Sequence, residues 1–257
     1  MRRRYAIGGG RRWSAMAAVV AAALLSLAVP GRASAIIGGT TSGSLKGQAQ
    51  IWINNGSQYR CTGSIIGARY ILTADHCLYK RWQLGQGGIG PIPADTMRVF
   101  VGNRAAHQGQ EIKVDGYAHA PKPPTALLPD IAILHLARPV SNRSLIVKYA
   151  KGSGVLKGGL TVAIRGWGKT SKTGGTPAPA LKVCSMNVGV TDRMEYQLRP
   201  NTGIFYDGDS GAGVWYGGVV QAVATRSEDD LSEAFVEPTP QVADWIKRIT
   251  NIDGVPL

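Results

Sequence analysis

The chain has few of the residues that cross-link or ligate. Its 257 residues include only three cysteines, Cys61, Cys77 and Cys184, and four histidines. No Cys-x-x-Cys is present and the histidines lack zinc-binding spacing, so no structural metal and no metal cofactor is expected. In an oxidising compartment two of the three thiols can pair and one is left over. Acids are also scarce, 16 against 29 Lys and Arg. That basic excess forms no dense tract interleaved with aromatics, which argues against nucleic acid as a partner. The apolar run over residues 15–29 is broken at Ser26 and falls short of the ~20 residues a helix needs to cross a bilayer. Stable membrane insertion is therefore not expected. Repeats with a period of about 20–50 residues are absent too.

What is present begins with a leader. Arg2, Arg3, Arg4, Arg11 and Arg12 precede the apolar run, and Ala33-Ser34-Ala35 follows it with small residues where an export peptidase inspects the chain. Residues 1–35 are read as a cleaved signal peptide and the protein as secreted. Arg11-Arg12 lacks the fuller twin-arginine pattern, and the choice of export route stays open. The leader carries six arginines and no acid, so the remainder has a net charge of +7 rather than +13. The stretch "GRASAIIGG" (residues 31–39) joins the cutting site directly to Ile36-Ile37-Gly38-Gly39.

The rest reads as short β-branched and aromatic strands separated by Gly, Pro, Asn and Asp turns. Strands are expected at 49–53, 62–66, 70–73, 97–101, 111–117 and 130–136, then at 160–165, 181–188, 213–216, 219–225 and 234–236. A polar join near residues 151–159 divides them into two similar sets. At the C-terminus Thr239 and Pro240 suit the start of a helix, and Val242, Trp245, Ile246 and Ile249 fall on one apolar face. "GQGGIG" (85–90) matches a dinucleotide-binding pattern as text, but Pro91 and Pro93 forbid the helix that would hold a pyrophosphate. It is read as a surface loop.

Three stretches matter together: "YILTADHC" (70–77), "PDIAILHL" (129–136) and "GDSGAG" (208–213). A serine hydroxyl needs an adjacent base to become a nucleophile. His76 suits that role, and Asp130 can orient the imidazole and stabilise its charged form. Gly208 lets the backbone turn tightly, so that the N–H groups of Gly208 and Ser210 can face a developing oxyanion.

With these motifs in order the chain resembles the trypsin/chymotrypsin family of secreted serine endopeptidases. The likeness covers most of residues 36–250. It includes the Ile-Ile-Gly-Gly start, Cys-Thr-Gly-Ser (61–64), Leu-Thr-Ala-Asp-His-Cys (72–77), Asp-Ile-Ala-Ile-Leu (130–134), Gly-Trp-Gly (166–168) and Gly-Asp-Ser-Gly. It implies an all-β fold of two antiparallel barrels, about 36–150 and 151–257, with the active site in the groove between them and a C-terminal helix. It implies His76 as base, Asp130 as orienting acid, Ser210 as nucleophile, and the amides of Gly208 and Ser210 as oxyanion donors. A Cys61–Cys77 disulfide would staple the strand that delivers His76, leaving Cys184 as a buried thiol or an intermolecular partner. The resemblance also pairs the freed Ile36 amine with Asp209. One cut after Ala35 would then both release and activate the enzyme; a short propeptide is the alternative.

The chain departs from the family in four places. Asp75 stands beside His76 where Ala is usual, either raising the basicity of His76 or pointing to solvent. Ala212-Gly213 replaces the common Gly-Pro. Ile204 sits where trypsin-like specificity uses an acid. The strand matching puts Arg226 and Glu233 near the pocket, where Arg226 narrows it or meets an acidic side chain, Glu233 receives a basic one, or the two neutralise each other. An apolar or small residue before the cut is the favoured preference. The family's other disulfides are missing. The reading is a secreted serine endopeptidase acting on proteins or peptides without a cofactor. The alternative is a non-catalytic secreted binding protein on a protease scaffold, with an esterase-like hydrolase as a lesser one.

Overall fold

A computed structural model describes residues 36–80, 90–121, 129–152, 156–173, 176–191 and 195–256. The leader assigned to residues 1–35 and residues 85–89 of the glycine-rich loop lie outside them.

The chain lays down β1 (Thr40–Thr41), β2 (Gln48–Ile53), β3 (Gln58–Gly67), β4 (Tyr70–Thr73), β5 (Arg98–Val101), β6 (Gln110–His119) and β7 (Ala132–Leu136). Strands β2 to β7 close into an antiparallel barrel in the order β2-β3-β4-β7-β6-β5. After β8 (Ala150–Lys151) come β9 (Thr161–Gly166), β10 (Lys182–Thr191), β11 (Tyr196–Pro200), β12 (Gly213–Tyr216), β13 (Val219–Ser227) and β14 (Ala234–Pro238). These make a second ring, β9-β10-β11-β14-β13-β12, closed by β12–β9 pairing, with β1 added to β10 outside it. The chain ends with the helix α1 (Ala243–Thr250) and β15 (Val255–Pro256), which runs parallel to β8. The expected two-barrel, all-β architecture with one C-terminal helix is the one observed. No helix among the described residues is long and apolar enough to cross a membrane.

Each ring fills with branched side chains from alternating positions, as closed barrels require. Ile51, Ile65, Ile71, Val99, Ile112, Val114 and Leu134 pack inside the first. Val162, Ile164, Met186, Leu198, Val214 and Val236 pack inside the second. Each such side chain fully buried contributes about 1.5–3 kcal/mol. The helix does not stay with its own barrel. Val242, Ala243, Trp245 and Ile246 belong to the first barrel's cluster, so the end of the chain straps back across it.

Three expectations need correction. Thr239 caps no helix. It opens a 3-10 turn, Thr239–Val242, and its hydroxyl lies 3.0, 3.4 and 3.1 Å from the carbonyls of Ala150, Val220 and Gln221. Ile249 is 41% exposed, outside the packed face. The strand expected from Asp130 begins at Ala132, so Asp130 lies in the loop that enters β7.

Candidate active site

A 3-10 turn over Asp75–Leu78 follows β4 and carries His76. Its next residue, Cys77, is joined to Cys61 of β3, fixing the turn to the barrel wall. The loop entering β7 brings Asp130 to the same place. One carboxylate oxygen accepts the His76 backbone N–H at 2.8 Å, and the other lies 2.7 Å from ring Nδ1. This double hold fixes both the position and the orientation of the ring. His76 is 45% exposed on its side chain, and Nε2 has no partner among the described residues.

Ser210 comes from the second barrel, in the turn before β12. Its carbonyl accepts the Thr62 N–H at 2.9 Å, docking the turn onto the first barrel. Cys77 Sγ lies 3.8 Å from that same carbonyl oxygen, so Ser210 stands close to the His76 turn. Gly208 has φ +92, and a side chain there would sit 2.8 Å from the Tyr59 ring. Its carbonyl is drawn away by the hydroxyls of Tyr59 (2.8 Å) and Thr62 (3.1 Å). Among the described residues nothing accepts the N–H of Gly208 or of Ser210. Gly211, at φ +84, lets the chain pass Thr73 Oγ1 and the Thr62 carbonyl, which an added Cβ would meet at 2.1 and 2.3 Å. The Ser210 hydroxyl points to the Thr225 carbonyl at 3.3 Å. Thr225 sits at a register shift of β13 between Ala224 and Arg226, a bulge that turns its carbonyl toward the serine. No local motif around Thr225 marks that contact.

Asp209, between these residues, is fully buried. Its two oxygens accept the N–H groups of Gly168 (2.8 Å) and Tyr206 (3.1 Å). Desolvation nevertheless pushes its carboxyl up to about 7. Among the described residues it has no cationic partner. Ile36 is buried in the second barrel's core, with φ 55, and Ile37 bridges to Ile204.

The family model for trypsin matches residues 36–246. The chain belongs to the trypsin family. It is 26% identical to trypsin alpha-4 of Lucilia cuprina over 179 residues, 69% of this chain and 66% of that one. Against pig trypsin it is 27% identical over 149 residues, covering 58% and 59% of the two chains. The chain thus spans less than two thirds of the length of either relative. Human heparin binding protein superposes with a TM-score of 0.70 at 21% identity, covering 85% of this chain and 98% of that one, which shows the shared fold alone.

The three residues expected near the pocket are each engaged with other partners. Ile204 is 3% exposed and packs in the second core with Phe205. Arg226 and Glu233 do not neutralise each other. Arg226 forks onto both oxygens of Glu195, its Nη2 lying 3.0 Å from Oε2, and covers the Phe235 ring at 4.0 Å. Glu233 faces Arg199 at 3.6 Å. Asp75 turns neither to His76 nor to solvent. Its carboxylate lies 2.5 Å from Nδ1 of His119, which β6 delivers. Burial raises the Asp75 carboxyl, and the His119 contact opposes that rise. Cys184 is a buried free thiol whose pKa burial pushes up, so it is a poor nucleophile.

Proposed function

We propose that the chain is a secreted serine endopeptidase. The observation that carries this reading is the pair of hydrogen bonds by which Asp130 holds His76, beside a turn whose two N–H groups find no acceptor among the described residues. In this mechanism the Ser210 oxygen attacks the scissile carbonyl carbon as His76 Nε2 takes its proton. Asp130 holds the imidazolium, and the N–H groups of Gly208 and Ser210 bind the oxyanion. The tetrahedral intermediate collapses when His76 returns the proton to the leaving amine. Water, deprotonated by the same imidazole, then hydrolyses the acyl-enzyme. The Ser210 hydroxyl must first rotate away from Thr225 toward His76.

The buried Asp209 supports activation by a new amino terminus. A buried carboxylate is costly without a partner, and the amine released by a cut after Ala35 supplies a cation from within the same core. Because Arg226 and Glu233 are engaged elsewhere and Ile204 is apolar, the preferred residue before the scissile bond is small or apolar.

A secreted binding protein on the same scaffold is the second reading, favoured by the hydrogen bond between the Ser210 hydroxyl and Thr225. A fluorophosphonate separates the two, because it labels only an activated serine. Intact mass of the secreted protein is expected to show a chain starting at Ile36 with one adduct, absent in Ser210→Ala. An unlabelled chain with that same start favours the binding protein.

A further inference from the structure

The turn that carries His76 is held by more than its disulfide and Asp130. Arg60 precedes Cys61 on β3, and in a regular strand such neighbours point to opposite faces. The pairing of β3 with β2 is not regular there. Its register runs Ile51↔Cys61 and then Trp52↔Tyr59, so Arg60 is the extra residue of a bulge. Bulges re-aim side chains, and here both neighbours reach the same turn, Cys61 through its disulfide and Arg60 through its guanidinium. The half-buried Arg60 donates through Nη2 to the carbonyls of His76 at 3.0 Å and Tyr79 at 2.7 Å, and through Nε to that of Cys77 at 3.3 Å. A single helical turn leaves its last carbonyls short of donors. The in-turn bond to the His76 carbonyl, from the Tyr79 N–H, is 3.4 Å long.

We propose that Arg60 is a positioning residue for His76: its planar fork pins the carbonyl side of the residue whose N–H and ring are held by Asp130. The proposal rests on the reading of His76 as the base that serves Ser210. Asp130 takes the His76 N–H at 2.8 Å and faces ring Nδ1 at 2.7 Å. On the other side of the His76 Cα lies the peptide that leads to Cys77. Arg60 holds its carbonyl, and its N–H donates to the Ala74 carbonyl at 3.2 Å. With both flanking peptides held, the Cα–Cβ bond has a set direction and Nε2 a set place. The disulfide acts one residue further on and through the rotatable side chain of Cys77, so it limits the turn without setting that peptide plane. A guanidinium suits the task because its N–H groups diverge in one plane and meet several carbonyls at once, whereas an ammonium is a point charge on a flexible stem. Its charge strengthens each bond over a neutral one. Proton transfer from Ser210 tolerates little error, since a misplacement of about 1 Å costs roughly a hundredfold.

The test compares the wild-type chain with R60A, R60K and T239V, the last a buried hydroxyl that serves other carbonyls. One readout is the rate of Ser210 phosphonylation by a small fluorophosphonate. The other is the proton NMR signal of the hydrogen shared by His76 and Asp130, which needs no turnover. R60A is expected to lose about tenfold to a hundredfold in rate and to shift or broaden the shared proton. R60K, whose single ammonium cannot span three carbonyls, should fall between R60A and wild type in both. T239V should lose stability yet keep both the rate and the signal, which separates positioning from general weakening. R60A or R60K matching the wild type in both readouts overturns the proposal. So does a lost rate with an unchanged signal, and so do equal losses in T239V, because destabilisation alone would then suffice. If R60A does not fold, the comparison of R60K with wild type carries the test. If the wild type takes no label while the shared proton still depends on Arg60, the catalytic reading fails and the clamp stands.

Discussion

Asp130 spends both its oxygens on one residue, and the expected penalties follow. Asp130→Asn presents an N–H donor to a ring nitrogen that must itself donate, so kcat should fall by about 10⁴ while the fold is kept. Matched steady-state kinetics and circular dichroism check this. Asp209 makes a prediction of a different kind. Its carboxyl rises from 3.8 to about 7, so the folded chain holds that proton more tightly than the unfolded one. The associated stability is present below about pH 4 and is lost as pH climbs through 7. At full burial the loss is on the order of 4 kcal/mol. Urea unfolding of a Ser210→Ala chain that retains Ala35 should show it, and Asp209→Asn should remove it. In a chain cut at Ile36 the ammonium partner should abolish the loss at neutral pH and return it in alkali.

At the scale of elements, legibility followed the length of the pattern. The strands 70–73 and 213–216 were read to the residue because branched and aromatic side chains stand between clear turns. Strand β11 was missed: only Tyr196 and Leu198 are buried, and Gln197, Arg199 and Pro200 leave too short an alternation to register. The three residues proposed as a triad stand out in the sequence because each sits in a local motif. Thr225 does not, since a bulge brings its carbonyl to Ser210 from a separate strand. Thr239 failed for a related reason. A hydroxyl read locally as a cap is committed instead to carbonyls distant in sequence. Thr239→Val leaves those buried carbonyls without their donor and should cost about 1–3 kcal/mol, measured by denaturant midpoint.

For the molecule as a whole, the disulfide and the strap matter most. Replacing Cys61 and Cys77 by serine opens a closure of 16 residues. That should remove roughly 3 kcal/mol, with activity lost in parallel because the same turn carries His76. Calorimetry and phosphonylation rate on one preparation would check both. The strap has a consequence for the order in which the protein can be made. Trp245 and Ile246 join the buried apolar cluster of a barrel whose strands were all synthesised more than a hundred residues earlier. A chain emerging from its amino end cannot finish burying that cluster until its last helix is also out. The barrels are therefore not independent stages. On the proposed reading, the groove that would do the chemistry is complete only when almost the whole chain has been delivered.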